Sequence, residues 1–382
     1  MTLVGIGQEM MAILEKDMLR HFPAPKASAA AALAALTIAG VLATQPARAQ
    51  AVNDPPPTLP SACQSVTIPV GLGPGQPTNL SLFGYLCLPP GSRPAVVQLT
   101  VPGFTYDHAY FDFPYQPDQY SYTRAMLAAG YAVFDLDRIG TGRSSHPLST
   151  EITFGTDAYT IHLAVQMLRG LGFSGVEIVG HSLGSQIVAV EAGTYHDVDG
   201  VVLTGFSNHG NLASDATAAL GFEPAALDPE FALVGYDPLY MTFRTHGIPQ
   251  FYYPPTTDPG VVAEDDATKS VATTTEVAGS LAQGSSLVSP TSQITVPVLI
   301  VNGDHDGLFC GAGTACDSAA NLYRDEAPFF GAMSCLSTVT VPHTAHNLNL
   351  STTASQTFAT IRNWSTGHVG LKGRQRAPCG PQ

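Results

Sequence analysis

A serine set between two glycines, where one apolar run stops and another starts, constrains this chain more than any other feature. Val176 to Val179 reads as a buried strand, and Leu183 to Ala192 as a helix closed by Gly193. Between them stands Gly180-His181-Ser182-Leu183-Gly184. A strand that passes into a helix through so short a turn must reverse sharply, and the central residue of a G-x-S-x-G turn is driven into a strained backbone conformation that projects its hydroxyl from the sheet's end. The flanking positions are glycine because a side chain there would collide with a neighbouring strand or helix. The new helix offers unpaired N–H groups and its positive dipole end to an anion. Ser182 is therefore a candidate nucleophile, and the Leu183 N–H a candidate oxyanion donor.

The rest of the chain has the rhythm this turn requires. Strand patterns at Ala95–Val101, Tyr131–Leu136, Val201–Leu203, Val298–Val301 and Thr338–Val341 alternate with helix patterns at Gln119–Ala129, Thr156–Arg169 and Thr353–Trp364. Continuous apolar strands with helices between them indicate an α/β fold, a mostly parallel central sheet with helices on both faces. One interval breaks the pattern. Between Gly205 and Val296 no clear strand occurs, although Val261 to Leu281 is helix-like, and the stretch is far too long for a simple connection. It reads as an inserted cap over residues 206–290, with the core in residues 81–205 and 291–382.

The N-terminal residues read as an address label. Arg20 and Lys26 precede the Ala-rich run 27–44, followed by the small-x-small pattern Ala47-Arg48-Ala49. That is the layout of a signal peptide cleaved near Ala49 or Ala51, and it implies a secreted, periplasmic or cell-envelope protein. Glu9, Glu15 and Asp17 fit an n-region badly, which leaves Met1 and Met18 as alternative starts. A membrane anchor is the competing reading, but alanine drives insertion weakly and the run is at the short limit for a span. Residues 50–80 read as a Pro-rich leader. An even count of six cysteines in an exported chain suggests disulfides. Proximity in sequence favours Cys63–Cys87 and Cys310–Cys316, leaving Cys335–Cys379. The absence of a CxxC pair argues against zinc held by cysteines. A formal net charge of −14 without a basic run disfavours nucleic acid and anionic membrane surfaces as partners.

A serine hydroxyl is a weak nucleophile and needs a base, which in turn needs an orienting acid. Two loops at the carboxyl ends of predicted strands supply candidates: Asn302-Gly303-Asp304-His305-Asp306-Gly307 and Pro342-His343-Thr344-Ala345-His346-Asn347. Either aspartate and either histidine of the second loop keep the order Ser…Asp…His.

Over roughly residues 80–366 the chain resembles the α/β-hydrolase-fold serine hydrolases, through VPGFTYDH (101–108), DLDRIGTGRSS (135–145), GHSLG (180–184), VLIVNGDHDGLF (298–309) and VPHTAHNLNL (341–350). In that family the acid commonly follows its strand as G-x-x-D and the histidine sits in a small-residue turn before the final helix. The resemblance thus implies Asp306 and His346, and it implies Phe104 as the second oxyanion donor. The family's usual His-Gly in that loop is Pro102-Gly103 here, so a side-chain brace is missing. The glycine loop 135–144 reads as structural. His181, Tyr106, Tyr110, Phe206 and Tyr240 are the expected pocket lining, and the aromatic content suits an uncharged, hydrophobic ester. The expected activity is carboxylic-ester hydrolysis on a small-molecule substrate, with neither metal nor organic cofactor and no stable membrane insertion after signal removal. A lactonase, thioesterase, peptidase or cofactor-free haloperoxidase would use the same triad, and a non-catalytic binding protein could keep the fold. An epoxide hydrolase or dehalogenase would want aspartate at position 182.

Overall fold

The structure is a computed structural model that describes residues 63–209, 211, 216–283, 289–311 and 313–371. The signal-peptide reading and Cys379 lie outside the described residues. The chain opens with β1 (Cys63–Val70), β2 (Leu80–Cys87) and β3 (Val96–Val101). A one-turn helix then leads to α1 (Tyr122–Ala128) and β4 (Ala132–Asp137). Next come α2 (Phe154–Gly170), β5 (Gly175–His181), α3 (Leu183–Tyr195) and β6 (Gly200–Thr204). The inserted region holds β7 (Phe222–Pro224), β8 (Tyr240–Phe243), α4 (Pro259–Ala267), β9 (Ala272–Thr273) and α5 (Thr274–Gln283). The core resumes with β10 (Val298–Gly303), α6 (Ala319–Glu326), β11 (Ser337–Val341) and α7 (Ala354–His368).

Eight strands form one sheet in the order β1-β2-β4-β3-β5-β6-β10-β11, parallel except for the β1–β2 and β2–β4 pairings. Successive residues of its strands go to opposite faces, as a pleat dictates. Val97, Ile178, Val201 and Ile300 pack into one apolar cluster with Ile161, Val165, Ile187 and Val188 of α2 and α3. Their neighbours Val96, Val179, Val202 and Leu299 pack into a second cluster with Met126 of α1 and Phe358, Ile361 and Trp364 of α7. Both faces are covered, which is why these strands read as unbroken apolar runs.

Three features depart from the sequence reading. The sheet starts at Cys63, inside the stretch assigned to the leader, where β1 pairs with β2 in a register that sets Cys63 opposite Cys87. That pair and Cys310–Cys316 are disulfides. The helix pattern 119–129 is split at Ser121, whose side chain accepts from the Arg124 N–H and caps α1. The inserted region is also not strandless: β7, β8 and β9 form a small antiparallel sheet, and β9 interrupts the helix-like run 261–281. Strands of two to four residues are too short to leave a period-2 signature. Among the described residues no helix is long and apolar enough to cross a membrane.

Candidate active site

Ser182 stands between the last residue of β5 and the first of α3, with φ 55° and ψ −125°. A non-glycine residue at positive φ is strained and persists only where its surroundings enforce it. Here both flanks do so. A Cβ on Gly180 would lie 2.5 Å from the Ser185 Cα, and one on Gly184 would lie 2.2 Å from the Val101 carbonyl oxygen. Ser182 is also tied into the sheet, its N–H donating to the Thr204 carbonyl at 2.9 Å. As the first residue of α3, Leu183 has an N–H with no acceptor inside the helix.

His346 follows β11 and is fully buried. Its Nδ1 lies 2.9 Å from Oδ2 of Asp306, which follows β10. The other carboxylate oxygen, Oδ1, accepts from the N–H groups of Leu308 at 2.9 Å and Phe309 at 3.1 Å. A carboxylate so placed is an acceptor only, so the imidazole proton is assigned to Nδ1 and the Nε2 lone pair is left available. Nε2 is buried without a hydrogen-bond partner. The ring is held between Phe251 and Phe309, with centroids 5.8 and 5.6 Å away and planes inclined by 25° and 27°. Ser182 and His346 line one cavity of about 140 Å³, together with Phe104, Leu183, Tyr106 and residues of the inserted region. The serine–imidazole hydrogen bond itself is not formed in this conformation; such bonds are often loose until substrate packs around them. Asp304 and His343 are turned to the rim instead. Asp304 accepts from His305 Nδ1 and the Thr344 N–H, and those bonds hold its carboxyl below the usual range against a partial burial that pushes the other way. The His343 ring lies against Tyr253.

The loop carrying Phe104 lacks the usual histidine brace but has another one. Arg138, fully buried, donates from Nε to the Pro102 carbonyl at 3.0 Å and from Nη2 to the Gly103 carbonyl at 3.1 Å. Its Nη1 pairs with Glu276 of α5, and Asp157 of α2 lies 3.7 Å away. Burial, and then the Glu276 charge, push the Asp157 carboxyl well up, with Arg138 opposing. The glycine loop 135–144 is therefore structural, as expected, and its buried arginine reaches the candidate oxyanion loop.

A family model described as "alpha/beta hydrolase fold" matches residues 117–315. The chain belongs to this family. No curated protein matches it at a significant level. Among solved structures, a thermostable carboxyl esterase from Bacillus coagulans in complex with glycerol superposes with a TM-score of 0.56 at 16% identity, covering 80% of this chain and 98% of that one. E-2-(acetamidomethylene)succinate hydrolase gives 0.50 at 21% identity, covering 78% and 98%. A bromoperoxidase from Bacillus anthracis gives 0.51 at 15% identity, covering 78% and 98%. At these identities the likeness is one of fold.

Of the five residues expected to line the pocket of this α/β hydrolase, only Tyr106 does so. Tyr110 is buried with its ring stacked on His181 at 4.0 Å, and the His181 Nε2 lies 3.2 Å from the His346 carbonyl oxygen. Burial, with the His346 ring beside it, holds the His181 imidazole well below its ordinary pKa, so it is a neutral wedge behind the serine. Phe206 packs in the core with its N–H on Asn302 Oδ1. Tyr240 turns away to donate to the Pro147 carbonyl. The lining that sequence reasoning missed comes from Gln186, from Ala218, Ala219, Phe222, Val277, Ser280 and Leu281 of the inserted region, and from Leu308. None carries a motif. Phe251 and Phe309 had the signal of standing near candidate residues, but nothing in the sequence aims them.

Tyr106 also ties the cavity wall of the hydrolase to α4. Its hydroxyl donates to the buried Asp265 at 3.0 Å and accepts from Asn347 Nδ2 at 2.8 Å, while Tyr252 donates to the same carboxyl oxygen. Burial pushes the Asp265 carboxyl up to about 7, against about 3.9 in an unfolded chain. The folded state thus holds the proton more tightly. The stability this confers is complete below about pH 4 and is lost as pH rises through about 7. Asp265→Asn, which mimics the protonated form, removes that dependence. In thermal melts from pH 4 to 8, the wild-type-minus-variant difference in Tm should fall up to about pH 7 and then level off. A difference constant across the range would refute the assignment.

Proposed function

We propose that this α/β hydrolase is an exported serine esterase that cleaves small, hydrophobic carboxylic esters through an acyl-enzyme. The observation that carries the reading is the buried His346–Asp306 pair, with Nε2 left without a hydrogen-bond partner, on a residue that lines the same cavity as Ser182. Nε2 takes the Ser182 proton as Oγ attacks the ester carbonyl. Asp306 keeps the imidazole in the required tautomer and stabilises the imidazolium that forms. The N–H groups of Leu183 and Phe104 hold the tetrahedral oxyanion. The imidazolium then protonates the departing alkoxide, and water, deprotonated by His346, releases the acid from Ser182. Two disulfides support export to an oxidising compartment.

Cavity size supports a short acyl group. An apolar cavity of about 150 Å³ holds one benzene ring, so about 140 Å³ beside Phe222, Val277 and Leu281 holds roughly six heavy atoms. In a p-nitrophenyl ester series kcat/KM is expected to peak at acetate to butyrate and to fall at least tenfold by palmitate; a maximum at the long chains would overturn the size argument. Fluorophosphonate labelling of Ser182, mapped by peptide mass spectrometry, tests the reading itself. A folded protein that fails to label and turns over no ester would be a binding protein of this fold.

A further inference from the structure

A second cluster of chemistry-bearing side chains lies at the opposite end of α3 from Ser182. His162 of α2, Glu191 of α3 and Asp197, in the turn after α3, each bring one ligand atom to within 4.8 Å of the others. The His162 Nδ1 is 2.7 Å from Asp197 Oδ2, which also accepts from Gln166 Nε2 at 2.6 Å. Glu191 is 0% exposed; neither of its carboxylate oxygens meets an N–H or hydroxyl donor among the described residues, and its carboxyl lies against that of Asp197. The Asp197 Oδ1 is likewise buried and unpartnered. Arg169 of α2 does not neutralise Glu191: it bonds the carbonyls of Ser174 and Asp197 and the Asp199 carboxylate. Two carboxyl groups so placed, out of water, are satisfied only by a proton shared between them or by a cation held between them.

We propose that His162 Nδ1, Glu191 and Asp197 bind a divalent cation of the zinc type that pins α3 to α2. One imidazole with two carboxylates is a donor set for borderline ions such as Zn²⁺, whereas Mg²⁺ and Ca²⁺ take all-oxygen shells. Zinc bonds of about 2.0–2.2 Å place ligand atoms of a tetrahedron about 3.4 Å apart, so the His162 Nδ1–Asp197 Oδ2 pair, now at 2.7 Å, opens by somewhat under an ångström to admit the ion. His162 ligates as the neutral ring, its proton on Nε2, and its plane is already fixed by stacking on Tyr195 at 4.1 Å. Asp197 and Gln166 also line an open cleft of about 1040 Å³ beside the cluster. Nine residues of helix separate Glu191 from Ser182, roughly 14 Å at 1.5 Å per residue. The ion is therefore structural and takes no part in ester chemistry.

Calorimetric titration of ZnCl₂ into the mature protein, stripped with EDTA and exchanged into chelator-free buffer, tests this. One saturable site per chain is expected, with zinc raising Tm by several degrees. Glu191→Gln and His162→Phe should each weaken binding at least tenfold; the first is nearly isosteric and the second keeps a ring against Tyr195, and circular dichroism of the metal-free variants confirms that each folds. Absence of saturable binding to the wild type would overturn the proposal. So would a Glu191→Gln variant that binds zinc as the wild type does, and an unchanged or higher Tm in it would assign the two carboxyls to a shared proton.

Discussion

Ser182→Ala is expected to lower kcat for p-nitrophenyl butyrate by about 10⁵–10⁶-fold, with far-ultraviolet circular dichroism and Tm close to those of the parent. The size follows from what the hydroxyl alone can do. His346 still sits behind Asp306, and the Leu183 N–H still closes the turn, but no atom is left to form the acyl-enzyme. Stability is expected to be spared because Ser182 contributes its backbone, not its side chain, to the sheet: the bond to Thr204 runs through its N–H. Asp306→Asn should cost about 10⁴ in kcat by favouring the wrong imidazole tautomer. Stopped-flow release of p-nitrophenolate would show a burst in the parent and none in Ser182→Ala. A variant that keeps more than a hundredth of the parental rate would exclude Ser182 as the nucleophile.

The largest loss of stability is expected at Arg138. Arg138→Met should cost about 3–5 kcal/mol, the range for stranding a buried charge, because Glu276 loses its partner in a site from which water is excluded. The same change leaves the Pro102 and Gly103 carbonyls without their donors, so kcat should fall by about 10- to 100-fold as the candidate oxyanion loop shifts. Combining Arg138→Met with Glu276→Gln should return part of the stability and little of the rate. Urea unfolding and steady-state kinetics on the three proteins separate the two effects. If the double variant regained full kcat, Arg138 would have no positioning role in the loop.

How much of this could be read in the residues alone follows from which signals are local. The parallel strands were legible because burial on both faces leaves runs such as Val298–Val301 without a polar break. β1 was not: its CQSVTIPV alternates between exposed and buried positions and contains a proline, as an edge strand does. β2 has a glycine in its middle, where any Cβ would meet the Phe134 ring at 2.6 Å, and that gap weakens its apolar pattern. Ser182, Asp306 and His346 were legible as candidates because each lies in the turn or loop that follows a strand, and the fold brings those strand ends to one rim. The pocket wall was not, because Ala218, Phe222 and Val277 reach it through an insertion held by very short strands and by single polar contacts that no periodicity records. Arg138 lay in a loop recognised as structural, but its reach to carbonyls 102 and 103 depends on a charge on α5, far along the chain.

The guanidinium of Arg138 makes the roof and the floor of the pocket one mechanical part. Prising α5 outward to admit a bulkier alcohol pulls on the same side chain that steadies the carbonyls before Phe104. An ester too large for the cavity would be penalised at the bond-breaking step as well as on entry. Enlarging the range of esters accepted would then call for trimming Val277 or Leu281 in place, and breaking the Arg138–Glu276 contact would slow every substrate alike.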